Sequence, residues 1–283
     1  GKLVVNNDGI HGVKTASGSV TLKKGKRIIE VRFFEKGGGE ELSVAWSGPG
    51  IKKQALSKTS PRSGGGGAVG MLIEPLEGEA SIYRNFINGA GPRAIGVGYH
   101  EGVNLAFDAN NMRLAMIWQG DFIDGARHWN GRGQGYQPPA GDAVVNLPEG
   151  VAIAALDSSD SDWPKAEYRT KDLRFRGYFL DKMQRPTFKY ERGDITVEDT
   201  PMPIAGASED GAGTIKRVIK LKAKDAPKNL YFRVAQGSFE KKGQSFEGDE
   251  LAISIKGGEP VAQSGDLRVP IVFKGGSAQI EVT

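Results

Sequence analysis

Between Arg84 and Gln137 the chain places Asp124 and His128 four residues apart. On a helical turn that spacing puts both side chains on one face. A carboxylate beside an imidazole orients the ring and raises its pKa, an arrangement suited to general acid–base chemistry. A structural contact at the end of a short helix uses the same spacing, and no third partner is identifiable from sequence. Asp108, Asp121 and Asp124 would supply the carboxyl pair of a glycosidase, which must stand about 5 to 9 Å apart. Spacing along a chain does not fix that distance across a hairpin, and Asp108 reads more simply as a turn residue at a strand's end. The catalytic candidates are therefore Asp121, Asp124 and His128.

The same stretch offers groups for binding. Trp118, Trp129, Tyr99 and Tyr136 have faces that can stack on sugar rings. Trp118 lies in the most apolar segment and reads as core. Trp129, among His128, Asn130 and Arg132, is the better surface candidate. Arg93, Arg127, His128, Trp129 and Arg132 are predicted to line one cleft, with Asp121 close by. Buried charges persist only when paired and hydrogen-bonded, so the arginines and aspartates here should pair whether or not a ligand binds. No close ligand pair such as HxH or HExxH accompanies His100 and His128, and no metal is predicted. The run Gly131–Gly135 lacks the Lys-Ser/Thr and the strand–helix context of phosphate loops and reads as an irregular surface loop.

The elements that must hold these residues are strands. Ile82–Phe86, Ala94–Tyr99, Val103–Phe107 and Arg113–Trp118 are strand-like, and Asp108-Ala109-Asn110-Asn111 is a strong hairpin turn. Gly96 and Gly98 share one face of their strand. Leu114–Trp118 is apolar throughout, so it should be buried on both faces. Asp121–Trp129 is the best candidate for a short helical turn. Further on, strands are expected at Leu173–Leu180, Thr187–Tyr190, Ile195–Glu198, Thr214–Leu221, Asn229–Ala235, Glu250–Ile255, Leu267–Phe273 and Ala278–Val282. The Pro-, Gly- and acid-rich segment Glu198–Gly213 reads as loop. No helix of typical length is expected, and the 41 glycines suit the turns of an all-β protein.

Composition narrows the function. Of the 283 residues, 38 are Lys or Arg and 34 Asp or Glu, a net charge of +4. The two signs are interleaved, which argues against nucleic acid as a partner. No apolar run approaches the roughly 18 residues of a membrane span. With no cysteine, disulfides, thiolate metal sites and covalent c-type haem attachment within this chain are excluded. No cofactor is expected in the chain itself.

Residues 1–56 read as short strands, at Lys2–Val5, Ser19–Leu22, Ile28–Phe34 and Leu42–Trp46, with turns at Asn6–Gly9 and Gly48-Pro49-Gly50. The order GKLVVNNDGIHG, SGSVTLKKGKRIIEVRFFEKGGGEELSVAWSGPG resembles the C-terminal part of the protective-antigen (PA-fourteen) type domain. That family is a β-sandwich found in toxins, glycosidases and adhesins, and many members bind carbohydrate. The family's earlier strands, which carry the acidic pair of its calcium site, are missing here. Asp8 matches only a loop beside that site, so the resemblance assigns no calcium. Asn7, Asp8 and His11 read as a polar turn. Ser57–Gly67, SKTSPRSGGGG, has the composition of a flexible linker, and Met71–Pro75 reads as a tether strand. The expected organisation is thus 1–56 partial sandwich, 57–80 linker and tether, and 81–283 a larger antiparallel β-sandwich-like domain.

The larger domain carries a second resemblance. RNFINGAGPRAIGVGY, GVNLAFDANNMRLAMIWQGDFIDGARHWNGRGQG and FRGYFLDKMQRPTFKY are similar to a module of large secreted bacterial proteins. There it lies beside c-type cytochrome and quinoprotein sugar-dehydrogenase domains, with protective-antigen-type domains as neighbours. The resemblance implies a periplasmic or extracellular setting, a carbohydrate partner, and haem or quinone on a partner domain. It carries no catalytic residues. The expected function is a non-catalytic carbohydrate-interaction or accessory module. The alternatives are a carbohydrate-active enzyme using Asp121, Asp124 and His128, and a structural or assembly subunit of a redox complex.

Overall fold

The computed structural model describes residues 2–23, 29, 31–33, 42–55, 70–129, 135–165, 172–204, 213–225 and 228–283. The chain divides into two compact units, 1–64 and 65–283. The linker expected at Ser57–Gly67 lies outside the described residues. In the first unit they form one antiparallel hairpin, β1 (Ala45–Gly48) and β2 (Ile51–Ala55). Pro49 and Gly50 turn between them, with Gly50 at φ +75°, a left-handed conformation that glycine adopts without a Cβ clash. The segments Lys2–Val5 and Ser19–Leu22 are not strands. Their apolar side chains face outward; Leu3 is 74% exposed.

The second unit is antiparallel β with one short helix among its described residues. It begins with β3 (Leu72–Ile73), β4 (Ser81–Ile87), β5 (Gly91–Gly98), β6 (Val103–Asp108), β7 (Arg113–Gln119) and β8 (Ile123–Asp124). The helical turn α1 (Ala126–Trp129) and β9 (Asp142–Asn146) follow. Next come β10 (Ile153–Ala155), β11 (Leu173–Leu180), β12 (Pro186–Arg192), β13 (Ile195–Ile204), β14 (Thr214–Lys222) and β15 (Leu230–Gln236). The last are β16 (Glu240–Lys242), β17 (Ser245–Glu247), β18 (Ala252–Lys256), β19 (Val261–Gln263), β20 (Asp266–Pro270) and β21 (Ser277–Val282). They assemble as a five-stranded sheet β4-β5-β6-β7-β9, an eight-stranded sheet β11-β12-β13-β14-β21-β18-β17-β16, and a four-stranded sheet β10-β15-β20-β19. The pair β3-β8 stands apart, so the segment expected as a tether is a strand of this unit.

The five-stranded sheet has two apolar faces. On one, Ile95, Val97, Leu105 and Phe107 join the main core with residues of the other two sheets. Phe107 stacks on Phe188 of the eight-stranded sheet with ring centroids 4.0 Å apart. On the other, Ala94, Ala106, Met116 and Trp118 form a second core with Phe122 and Ile123. Successive residues of a strand point to opposite faces, so an apolar run such as Leu114–Trp118 feeds both cores. Its register shifts opposite Ala106–Phe107, which inserts Ala115, and Ala115 and Met116 consequently face the same core. Gly96 and Gly98 share the second face, where a Cβ on Gly98 would fall 2.5 Å from Phe122 Cγ. Their missing side chains let the Phe122 ring lie directly on the strand.

β13 continues to Ile204 through Pro201 and Pro203, where a loop is expected from composition. β12 pairs with β13 only as far as Asp199, while β14 pairs with it to the end. Beyond Asp199 one edge of β13 has no ladder to supply, and a proline there removes no ladder hydrogen bond.

Each of the three sheets buries an arginine against its own aspartate. Asp108 of β6 stands directly opposite Arg113 of β7, 3.5 Å from its Nε. Asp199 of β13 takes Nε and Nη2 of Arg217 on β14 at 2.8 and 2.5 Å. Asp266 of β20 serves both Arg233 of β15 and its own strand-mate Arg268. Asp199 is wholly buried and Arg217 nearly so. Removing one partner of a buried pair leaves an uncompensated charge, whereas an apolar replacement of both is close to neutral. Asp199→Ala should therefore cost about 3–5 kcal/mol in urea unfolding, and the double variant Asp199→Leu/Arg217→Met much less. Equal losses in the single and double variants would contradict this.

Candidate functional site

Arg127, His128 and Trp129 lie where the free edge of β4 meets α1 and the segment 135–137. β4 is an edge strand. Its end is closed by backbone bonds from Asn88 N–H to the Gln137 carbonyl and from Gln137 N–H to the Phe86 carbonyl, both 2.9 Å. That pairing covers an otherwise open edge and brings Tyr136 beside Phe86, their rings meeting edge-on at 5.6 Å.

His128 ties the three pieces together. Its Nε2 donates to the Gly135 carbonyl at 2.7 Å. A carbonyl only accepts, so in the neutral ring Nε2 carries the proton and Nδ1 accepts. Nδ1 bonds the Tyr83 hydroxyl of β4, whose ring also stacks on the imidazole, at 6.0 Å and 23°. Burial pushes the Tyr83 hydroxyl up to about 12 from its ordinary 10.0. The folded state thus holds that proton more tightly than the unfolded chain. Its contribution is complete below pH 10.0 and is lost as pH rises toward 12.

Tyr83 and Phe86 both reach His128, Phe86 at 6.2 Å. Residues three apart in a regular strand point to opposite faces. Here the ladder is interrupted: two residues of β5, Pro92 and Arg93, stand opposite Phe86 alone. Such a bulge twists the pair and re-aims side chains.

Asp124 does not pair with His128. It precedes α1 rather than sharing its face. Its Oδ1 accepts from Ala126 N–H at 2.9 Å and from Met71 N–H at 2.8 Å. That is a helix N-cap which also anchors the start of β3. Asp121 is exposed, and its backbone carbonyl receives the Trp118 indole N–H at 3.0 Å. Asp108 is buried on Arg113 and closes its turn by accepting from Asn110 and Asn111. The carboxylates of Asp108 and Asp124 therefore serve separate structural duties, and Asp121 contributes through its backbone carbonyl.

Among the binding candidates, Trp129 is 59% exposed and lies against the bare backbone of Gly125. Arg127 is half-buried near Gly135, and Arg93 is exposed in the bulge opposite Phe86. Arg132 lies outside the described residues. Trp118 and Tyr99 are core residues at 0% and 3% exposure. His100 is exposed in a turn, and among the described residues no three His, Asp or Glu groups cluster as metal ligands. The sequence reading missed Tyr83 and Phe86. The available signal was Pro92, since a proline inside a strand pattern marks an edge or a bulge.

A family model described as a domain of unknown function (DUF6797) matches residues 105–199. That span begins in β6, takes in α1 and Trp129, and ends on Asp199. Neither a curated protein nor a solved structure matches the chain.

The cap assignment is testable by denaturation. Asp124→Ala should lose about 1–2 kcal/mol, the usual cost of an N-cap, whereas Asp124→Asn keeps an acceptor in place and should lose less. An Asn variant as unstable as the Ala variant would show that the negative charge, not the cap geometry, matters.

Proposed function

We propose that this chain is a non-catalytic carbohydrate-interaction module of an exported bacterial protein. One observation carries the reading: Trp129, Tyr136 and Phe86 are 59, 46 and 45% exposed and all flank His128 or its direct neighbours. Exposed aromatics scattered singly need no explanation. Phe86 and Tyr136 meet edge-on beside His128, and Trp129 follows it in the chain; such apolar faces on a hydrogen-bonded support cost little entropy and suit stacking on sugar rings. The resemblance of residues 1–56 to protective-antigen-type domains, many of which bind carbohydrate, supports the same reading. So does the similarity of the larger domain to modules of secreted bacterial proteins. By that similarity the partner would be a c-type cytochrome or sugar-dehydrogenase domain carrying the haem or quinone, in the periplasm or outside the cell. His128 has both ring nitrogens and Asp124 one carboxylate oxygen committed to structural partners, which weighs against the enzyme alternative.

A second reading, an assembly surface, is favoured by one feature. Edge strand β11 and its turn expose Phe179, Leu180 and Met183, at 52, 39 and 38%. That apolar edge suits packing against a partner chain.

Trp129→Ala should weaken glycan binding by about 1–3 kcal/mol, by analogy with aromatic stacking on bases. Its melting temperature should hardly change, since the ring is exposed. Trp118→Ala, in the core, should do the reverse. If the wild type binds no glycan on an array and Trp129→Ala chiefly lowers stability, the carbohydrate reading fails.

A further inference from the structure

Where the three sheets meet, one small pocket is lined by one arginine from each: Arg113 of β7, Arg217 of β14 and Arg233 of β15. The other lining residues are apolar, Ala152 and Val234 among them, and none is acidic. The carboxylates that neutralise these arginines, Asp108, Asp199 and Asp266, hold them from outside the lining. The guanidiniums are thus fixed in place with no carboxylate among the residues that line the pocket.

The local balance is positive. Asp266 is shared by Arg233 and Arg268, so four guanidiniums face three buried carboxylates. Glu149 is exposed, and Arg233 bonds its backbone carbonyl at 3.0 Å. Arg113 donates from Nη1 to the Leu147 and Pro148 carbonyls and from Nη2 to the Gly89 carbonyl. Its buried Nε has no hydrogen-bond acceptor among the described residues. At 3.5 Å from Asp108 Oδ2 it is within ion-pair range but beyond good hydrogen-bond geometry. Burial pulls the Arg113 guanidinium down from its usual value, and the field of Arg233 works in the same direction against Asp108 and Glu149. Like charges converging in a low-dielectric setting repel strongly, and an anion between them relieves that repulsion.

We propose that this pocket binds one small inorganic anion, held by the guanidiniums of Arg113, Arg217 and Arg233. The site exists only when the three sheets are assembled. The anion would therefore stabilise the folded unit by mass action and tie its layers together.

Melting the whole chain in sodium gluconate, and then with chloride, bromide or sulfate substituted at constant ionic strength, tests this. Gluconate is too bulky for the pocket and controls for screening. A saturable rise of roughly 2–4 °C with a compact anion is expected, a typical response for a domain of this size. The halide and sulfate arms separate a monatomic ion from an oxyanion. Ala152→Asp supplies a tethered carboxylate and should abolish the response. No difference from gluconate in the wild type, or an equal rise in Ala152→Asp, would overturn the proposal. Should that variant not fold, bromide-soaked wild-type crystals decide: anomalous scattering among the three guanidiniums supports the site, and its absence overturns it.

Discussion

The second unit is organised around the burial of arginine. Four guanidiniums lie at or beside the junction of three sheets, and each must find enough acceptors to offset lost hydration. Each sheet pairs one arginine with an aspartate on an adjacent strand, directly or diagonally across the ladder, and Arg268 shares Asp266 along its own strand. Backbone carbonyls complete the set. Arg268 reaches the Ser159 and Ser161 carbonyls at 2.8 and 2.6 Å. Trp163 lends an aromatic face to Arg233 and Arg268 at 5.6 and 5.4 Å, a favourable placement for a cation. These bonds fix loops 147–149 and 159–163 as well as strands. Register errors would strand a charge in the core, so the pairs specify one arrangement while the apolar residues supply the driving force.

The aromatic surface is built on the second core of the same five-stranded sheet. Phe122 can sit on Gly96 and Gly98 only because they have no side chains. That seat sets where β8 begins, and Asp124 then caps α1 and ties it to Met71. α1 is one turn long, too short to persist alone. It is held instead by its cap and by His128 between Tyr83 and Gly135. His128 thus serves as a strut. A ring with both nitrogens committed fixes its neighbours' orientations, and fixed orientation is what makes exposed aromatics an effective binding surface.

Much of this was legible in the sequence. The all-β class, the antiparallel sheets, the hairpin at Asp108–Asn111 and the double burial of Leu114–Trp118 follow from period-two patterning and turn chemistry. Trp118 was legible as core and Trp129 as surface from their neighbours. The misses have physical causes. The i, i+4 spacing of Asp124 and His128 presumes a helix that begins early enough to hold both, but the helix begins after its own cap. Pro201 and Pro203 suggest a loop until it is known that the far edge of β13 goes unpaired there. Phe86 was passed over because a bulge in the facing strand, not its own position, brings it to His128. Strands at Lys2–Val5 and Ser19–Leu22 have suitable patterns, yet neither segment forms a ladder.

Paired arginines hold the sheets, the sheets hold His128, and His128 holds the exposed rings for which sugar binding is proposed. That proposal turns on one side chain among four tryptophans, which indole N–H resonances can separate. Titrating the ¹⁵N-labelled chain with glycan fragments should shift the Trp129 indole signal and leave those of Trp118 and Trp163 in place. An unmoved Trp129 signal at concentrations where binding is detected by another method would contradict the account.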